Sequence, residues 1–342
     1  MRVGVVGVGH LGSIHARIWD EIPDVELVGV LDSDRPRGEA VAARHQTTFF
    51  TDLERLAEAV DIVSIATPTP LHLTTAIPFL ESGKSVLIEK PLASTLQEAD
   101  EILRLAASSN SVLQVGHVER FNPCIRAALP HIQNPIFIEC DRIHPFSLRS
   151  TEVSVVVDLM IHDIDIALHL ADDEVESIDA FGCPVLSPTE DLATSRFSFV
   201  GGATAVVKTS RVAFQKSRKV RIFCPSSYIS LDLVEGTGFK ISLDSDYDPG
   251  DYLDEHGRII APEGAEAFLA KHMHQEPIEV VYREPLRSEL EAFLAAARGQ
   301  RPPAVSGIQG RRAIAAAETV IEKIRKHRQR LSEPPRPSEG IA

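Results

Sequence analysis

A chain of 342 residues, at about 150 per domain, is long enough for two domains that each bury their own core. Its 49 acidic and 35 basic residues leave a net charge of −14, which opposes nucleic acid or an anionic membrane surface as the main partner and favours a small ligand. No window reaches the ~18 uninterrupted apolar residues of a membrane span, no leader pattern opens the sequence, and Cys124, Cys140, Cys183 and Cys224 match neither a disulfide framework nor metal-ligand spacing, so a reduced, cytoplasmic protein with no membrane insertion and no bound metal is expected.

Taken in order, the first third alternates short β-rich runs with helical ones, the pattern of a parallel sheet wrapped by helices. "RVGVVGVG" is a strand running into glycines, "HLGSIHARIWDEI" a helix, "VELVGVLDSD" a strand, "RGEAVAARHQ" a helix and "DIVSIATPT" a strand ending in a proline-broken turn. The alternation continues through "LHLTTAIPFLESG", "SVLIEKP", "TLQEADEILRLAASSN" and "SVLQVGHVERFNP". These strands are nearly all apolar, as burial on both faces requires. After residue 123, "PIFIECDRIH", "SRFSFVGGATAVVKTSRVAF" and "KVRIFCPSSYISLDLV" show period-2 alternation, which predicts an antiparallel sheet with one open face. "SLDSDYDPGDYLDEHGRIIAPEG" is acidic and rich in turn residues, hence a surface excursion. Two helices follow, "EPLRSELEAFLAAARGQRPP" and "SGIQGRRAIAAAETVIEKIRKHRQ", the second capped near Ser306, before a tail of disordered composition.

Gly7, Gly9 and Gly12 stand in G-x-G-x-x-G order between a strand and a helix. The first permits a tight turn, the second lets backbone amides approach a pyrophosphate, and the third lets helix and strand pack closely, with His10 and Leu11 in the intervening first helical turn. Twenty residues beyond Gly12, at the end of the next strand, Asp32 can accept hydrogen bonds from both hydroxyls of a ribose and would repel a 2′-phosphate. Arg35 and Arg37 follow closely and offer a 2′-phosphate a countercharge, so NAD is the expected cofactor and NADP the second choice. The fold class is therefore an α/β Rossmann domain over 1–120, followed by an α+β domain with an open, mostly antiparallel sheet over 121–328 and a tail at 329–342.

Two further features carry chemistry. "VLIEKPLA" places Glu89 and Lys90 at the carboxyl edge of the sheet, where ligands sit in open α/β folds. "VVVDLMIHDIDIALHL", residues 155 to 170, is an apolar run interrupted by three aspartates and two histidines. On an ideal helix Asp158, His162, Asp165 and His169 fall within an arc of roughly 60°, with Asp163 pointing away. Such a stripe faces water, buried polar partners or a ligand.

The glycine fingerprint, "ATPTPLH" at 66–72, "EKP" at 89–91 and "DLMIHDID" at 158–165 together resemble the Gfo/Idh/MocA oxidoreductases, in the family's order and separations, over the chain to about residue 325. The resemblance implies an active site between the domains, with Lys90, Asp158 and His162 as catalytic residues, and a sheet whose outer face mediates a homodimer or homotetramer. A histidine near its ordinary pKa can take an alcohol proton while the hydride leaves the same carbon for the nicotinamide, and Asp158 can orient the imidazole. Lys90 can stabilise the developing alkoxide, or act as the base itself if the pocket lowers its pKa. Gly7, Gly9, His10, Leu11, Gly12, Asp32, Thr67, Pro68, His72, Glu89 and Lys90 are the expected cofactor contacts.

Within the family, "VGHVERFNP" at 115–123 and "SRVAFQKSRKVRIFCPSSYISLDL" are similar to the branch that oxidises UDP-N-acetylglucosamine at C3. His117, Arg120 and Asn122, with Lys90, Asp158 and His162, are the expected substrate contacts. Arg211, Lys216, Arg218, Lys219 and Arg221 form a basic cluster able to attract a diphosphate, or else a charged edge strand. Two other readings stand beside this one: a dehydrogenase of a free cyclitol or aldose, and a non-catalytic NAD-binding regulator.

Overall fold

The structure, a computed structural model, describes residues 1–147, 153–244, 247–261 and 264–332. Part of the acidic excursion, at 245–246 and 262–263, and the expected tail from residue 333 lie outside the described residues. The chain divides into two compact units: Met1–Phe121 with Arg283–Glu318, and Asn122–Tyr282 with the residues from Thr319 onward.

In the first unit the elements run β1 (Arg2–Val6), α1 (His10–Glu21), β2 (Glu26–Leu31), α2 (Arg35–Arg44), β3 (Thr48–Phe50), α3 (Leu53–Ala59), β4 (Ile62–Ile65), α4 (His72–Glu81), β5 (Ser85–Glu89), α5 (Leu96–Ser108) and β6 (Leu113–Gly116). The six strands are parallel in the order β3-β2-β1-β4-β5-β6. The order reverses between β1 and β4, the switch point where a doubly wound sheet binds its ligand. Local signals agree with the helix starts: Asp34 accepts the Arg37 amide, Asp52 the Arg55 amide and Thr95 the Glu98 amide. Trp19 is fully buried, and its indole N–H finds Ser64 Oγ at 2.9 Å.

In the second unit α6 (Pro123–Ala128) precedes β7 (Phe137–Ile143), and α7 (Ile161–Ala171) follows it. Next come β8 (Val175–Cys183), β9 (Leu192–Phe199), β10 (Thr204–Ser210), β11 (Ser217–Cys224), β12 (Ser227–Asp232), β13 (Thr237–Leu243), α8 (Ala265–His272) and β14 (Met273–Pro277). Eight strands pair as β14-β13-β12-β11-β7-β10-β9-β8, antiparallel except for β7 with β10. Alternation decides the faces: Ile138, Cys140, Val207, Val220 and Ile222 are buried, and α7 packs on β7 and β10. On the other face Phe137, Phe223, Tyr228 and Phe239 form a half-buried aromatic row across four strands, with adjacent centroids 4.7–6.0 Å apart. Cys124, Cys140 and Cys224 are buried thiols, and burial pushes Cys140 well above the ordinary thiol range.

Two closing helices follow, α9 (Pro285–Ala297) and α10 (Gly307–Ser332). The linear boundaries expected from sequence put residues 283–318 in the second domain, whereas in the structure they pack with the first. The reason is apolar burial: Leu286, Leu290, Phe293 and Leu294 complete the cluster of Val3, Val5, Ile18 and Trp19. Gln114 in β6 adds polar ties, donating to Glu289 O at 3.2 Å and accepting the Ala304 amide at 3.1 Å. The start of α10 carries the expected cap, with Ser306 and Gln309 bonding reciprocally to each other's backbone amides. Among the described residues no helix is long and apolar enough to cross a membrane.

Candidate active site

The three glycines of the first turn are each required by something different. Gly7 has φ +83°, and a Cβ there would stand 2.8 Å from the backbone of Ala66, while one on Gly12 would stand 1.7 Å from Gly7 O. Gly9 has nothing within 4 Å of its hypothetical Cβ. Packing therefore explains Gly7 and Gly12 but not Gly9, which is the residue beside a phosphate in this motif. His10 and Leu11 are exposed in the adjoining turn of α1.

A cavity of about 400 Å³ opens here, lined by Gly7, Gly9, Asp32, Ser33, Arg37, Thr67 and Pro68 with apolar walls from Val6, Leu31, Leu53 and Leu71. The Thr67 hydroxyl is buried without a hydrogen-bond partner among the described residues, as a group awaiting a ligand would be. Asp32 accepts the amides of Val8 and Asp34 at 2.7 and 2.8 Å and a bidentate Arg37 at 2.6 and 3.1 Å. Burial works to raise its pKa, but Arg37 and the two amides outweigh that and hold it below the usual carboxylate range. Arg37 also pairs with Asp34, and Arg35 with Glu39, so both arginines named for a 2′-phosphate are committed to carboxylates. An anion at Asp32, the open amides at Gly9 and the unfilled Thr67 hydroxyl fit a dinucleotide with an unphosphorylated ribose.

His72 and Glu89, two expected cofactor contacts, do not line this cavity. The His72 ring is buried between Thr67 O and Pro91 O, each at 2.9 Å, and so ties the loop after β4 to the loop after β5; burial lowers its pKa. Glu89 turns inward to His15, 3.0 Å away. Lys90 follows at the carboxyl edge of β5, half-buried. His117 and Arg120 are buried beyond β6, and Asn122 spends its side-chain oxygen capping α6 through the Cys124 amide at 3.0 Å.

In the second unit the polar stripe departs from an ideal helix. Residues Val156–Met160 form a π-helical turn and α7 begins at Ile161, so Asp158 lies on the π turn and the uniform rotation behind the 60° arc does not hold there. Asp158, His162 and His169 are half-buried, while Asp165 is buried. Asp163 does point away, into a partner the sequence did not reveal: Arg142 of β7 grips it at 2.6 and 2.9 Å, with both side chains buried.

The chain before the π turn is also fastened. Arg211 donates to Asp191 at 2.7 Å and to Val153 O at 2.9 Å, and Asp191 further accepts the amides of Val185, Leu186 and Ser187. The basic residues divide accordingly. Arg211 is a buried structural cation, Arg221 is paired with Glu139 and Asp141, and Lys219 lies 3.8 Å from Asp232. Lys219 and Arg221 share one face of β11 while Arg211 lies beyond the end of β10, and their countercharges come from distant segments.

A doubly wound sheet with a dinucleotide cavity at its switch point, followed by a helix-covered antiparallel sheet that carries an aspartate and histidine, defines an NAD-binding oxidoreductase. Residues 1–117 match the oxidoreductase family described as NAD-binding Rossmann fold, and residues 143–229 match the GFO/IDH/MocA C-terminal domain. A UDP-N-acetylglucosamine 3-dehydrogenase from Acidithiobacillus ferrooxidans is 33% identical over 318 residues, covering 93% of this chain and 95% of that one. A solved structure of the enzyme of that name from the same organism superposes with a TM-score of 0.84 over 95% of this chain and 98% of the other. A myo-inositol 2-dehydrogenase from Thermotoga maritima is 27% identical over 94% of this chain and 97% of its own length. The chain belongs to the Gfo/Idh/MocA oxidoreductase family.

Proposed function

We propose that this protein oxidises a sugar-nucleotide hydroxyl with NAD, converting C3 of UDP-N-acetylglucosamine to the 3-oxo sugar. The observation that carries this reading is the 33% identity, held over 93% of the chain, to a relative of that name. NAD supplies the hydride acceptor. His162 takes the proton of the C3 hydroxyl as its C–H hydride departs, so one hydroxyl and one C–H are exchanged for a carbonyl, a proton and NADH. Asp158, one turn earlier, orients the imidazole, and Lys90 donates a hydrogen bond to the reacting oxygen as alkoxide charge develops. His117, Arg120 and Asn122 are the proposed contacts for the remaining substrate. The outer sheet face, with its aromatic row, supports assembly into a homodimer or homotetramer, which light scattering of the purified chain would reveal.

The inositol dehydrogenase relatives favour a second reading in which the same residues oxidise a free cyclitol. Purified protein incubated with NAD and either UDP-N-acetylglucosamine or myo-inositol, with a carbonyl trap to draw the reaction forward, separates the two. NADH formed with the nucleotide sugar is the expected result. NADH from inositol alone transfers the activity to the cyclitol, and none from either leaves a non-catalytic NAD-binding protein.

A further inference from the structure

A buried pair that belongs to neither the glycine fingerprint nor the dinucleotide cavity lies beside the strand end that carries Lys90. His15, in the second turn of α1, sets Nε2 3.0 Å from Glu89 Oε1, and both side chains are buried. The other carboxylate oxygen of Glu89 accepts the Lys90 amide at 3.3 Å. Space for that carboxylate exists because β6 ends in glycine. A Cβ on Gly116 would stand 2.9 Å from the carboxyl carbon and from each oxygen. Three elements, α1, β5 and β6, thus close around one carboxylate.

His15 Nδ1 is buried and has no hydrogen-bond partner among the described residues, so the ring is tied through Nε2 to the Glu89 carboxylate. That carboxylate, out of water, is held by the imidazole on one oxygen and the Lys90 amide on the other, as a buried polar group requires.

We infer that His15 is a positioning residue for Lys90: it holds the Glu89 carboxylate so that its second oxygen fixes the Lys90 backbone at the end of β5. The inference rests on the role given to Lys90 above. It also assigns α1 two tasks, since the helix whose first turn adjoins Gly9 also sets the residue that meets the reacting oxygen. His15 itself needs to touch neither cofactor nor substrate.

Two variants of equal polarity and unequal reach make the test. In His15→Gln the side-chain amide N–H extends about as far as Nε2, whereas in His15→Asn it stops near the position of Nδ1. Amide hydrogen exchange of the NAD-bound protein, read in the peptide covering residues 85–92, needs no substrate. The Asn variant is expected to exchange Glu89 and Lys90 about 10-fold faster with β4 unchanged, and the Gln variant to stay within about 3-fold of the parent. In turnover, Asn should lower kcat about 10-fold or more while the Kd for NAD moves less than about 2-fold, and Gln should recover most of the loss. Identical exchange in the two variants overturns the clamp. Faster exchange in the Asn variant with an unchanged kcat, in an enzyme that Lys90→Met inactivates, overturns its catalytic purpose. A Lys90→Met enzyme with near-normal turnover instead sinks the role of Lys90, a failure the exchange measurement keeps separate.

Discussion

Asp163→Ala removes the carboxylate that holds a buried guanidinium. Arg142 and Asp163 are 2% and 3% exposed and meet through two short hydrogen bonds, so neither charge recovers water when its partner goes. Deleting one member of such a pair costs about 3–5 kcal/mol, far more than the pair adds over an apolar replacement of similar shape. For a body of 150–250 residues this lowers the melting temperature by about 6–20 °C. Thermal melts followed by far-UV circular dichroism measure it. The paired change Arg142→Met with Asp163→Leu should recover most of the loss, because the two mutually paired charges leave the core together. His162 precedes Asp163 in sequence, so the pair also sets the rotation of α7 about its axis, and the single variant should lose turnover together with stability. An Asp163→Ala protein that melts within about 2 °C of the parent would refute the claim that this pair anchors α7 to β7.

Gly9→Ala should melt within about 1 °C of the parent in a thermal melt, since its methyl meets no protein atom, yet weaken NAD binding about 10-fold or more in isothermal titration by filling the space above the amides. His162→Asn should keep NAD affinity and lose turnover by about 100-fold, and near-normal turnover would move the base to Lys90. Asp191 has a strongly lowered pKa: its burial opposes the charge, but Ser187, Arg211 and the loop amides overcome that. A carboxylate depressed in the folded state stabilises fully above its unfolded pKa of ~3.9 and loses that contribution as pH falls toward the folded value. The parent should therefore melt progressively lower between pH 5 and pH 3, and Asp191→Ala should start lower and show a shallower slope over the same window.

The parts of the fold that the sequence made legible are those governed by local rules. Alternating apolar strands and helices, period-2 strands after residue 123 and the Ser306 cap all depend on neighbours within a few residues. β3 and α3 escaped because a strand of three residues, Thr48–Phe50, leaves no period to detect, and a helix of seven barely completes two turns. The placement of α9 escaped for a different reason. Its apolar face says that the helix must be buried but not against what, and the answer, the cluster around Trp19, lies more than 250 residues earlier in the chain.

The same division runs through the candidate site. Gly7, Gly9, Gly12 and Asp32 form a site within one β-α-β unit, so spacing alone reveals them, and the cavity gathers Gly7, Gly9 and Asp32 with Thr67 and Pro68. Charges with distant partners were the least legible. Arg211 and Arg221 could be read as an anion site or as a charged strand because Asp191, Glu139 and Asp141 are not their sequence neighbours, and Asp163 could be said to point away but not to what, because Arg142 lies 21 residues away on a strand. His15 drew no notice because its partner Glu89 is 74 residues distant. In an apolar run each ionisable side chain needs an explanation, and for Asp163 the explanation is packing. Asp158 and His162 are half-buried on and just after a π turn, as His169 is further along, whereas Asp165 is buried. The π turn at Val156–Met160 is a rare element that sequence periodicity does not announce, so the spacing of Asp158 from His162 was the part of the stripe the ideal-helix arc could not place.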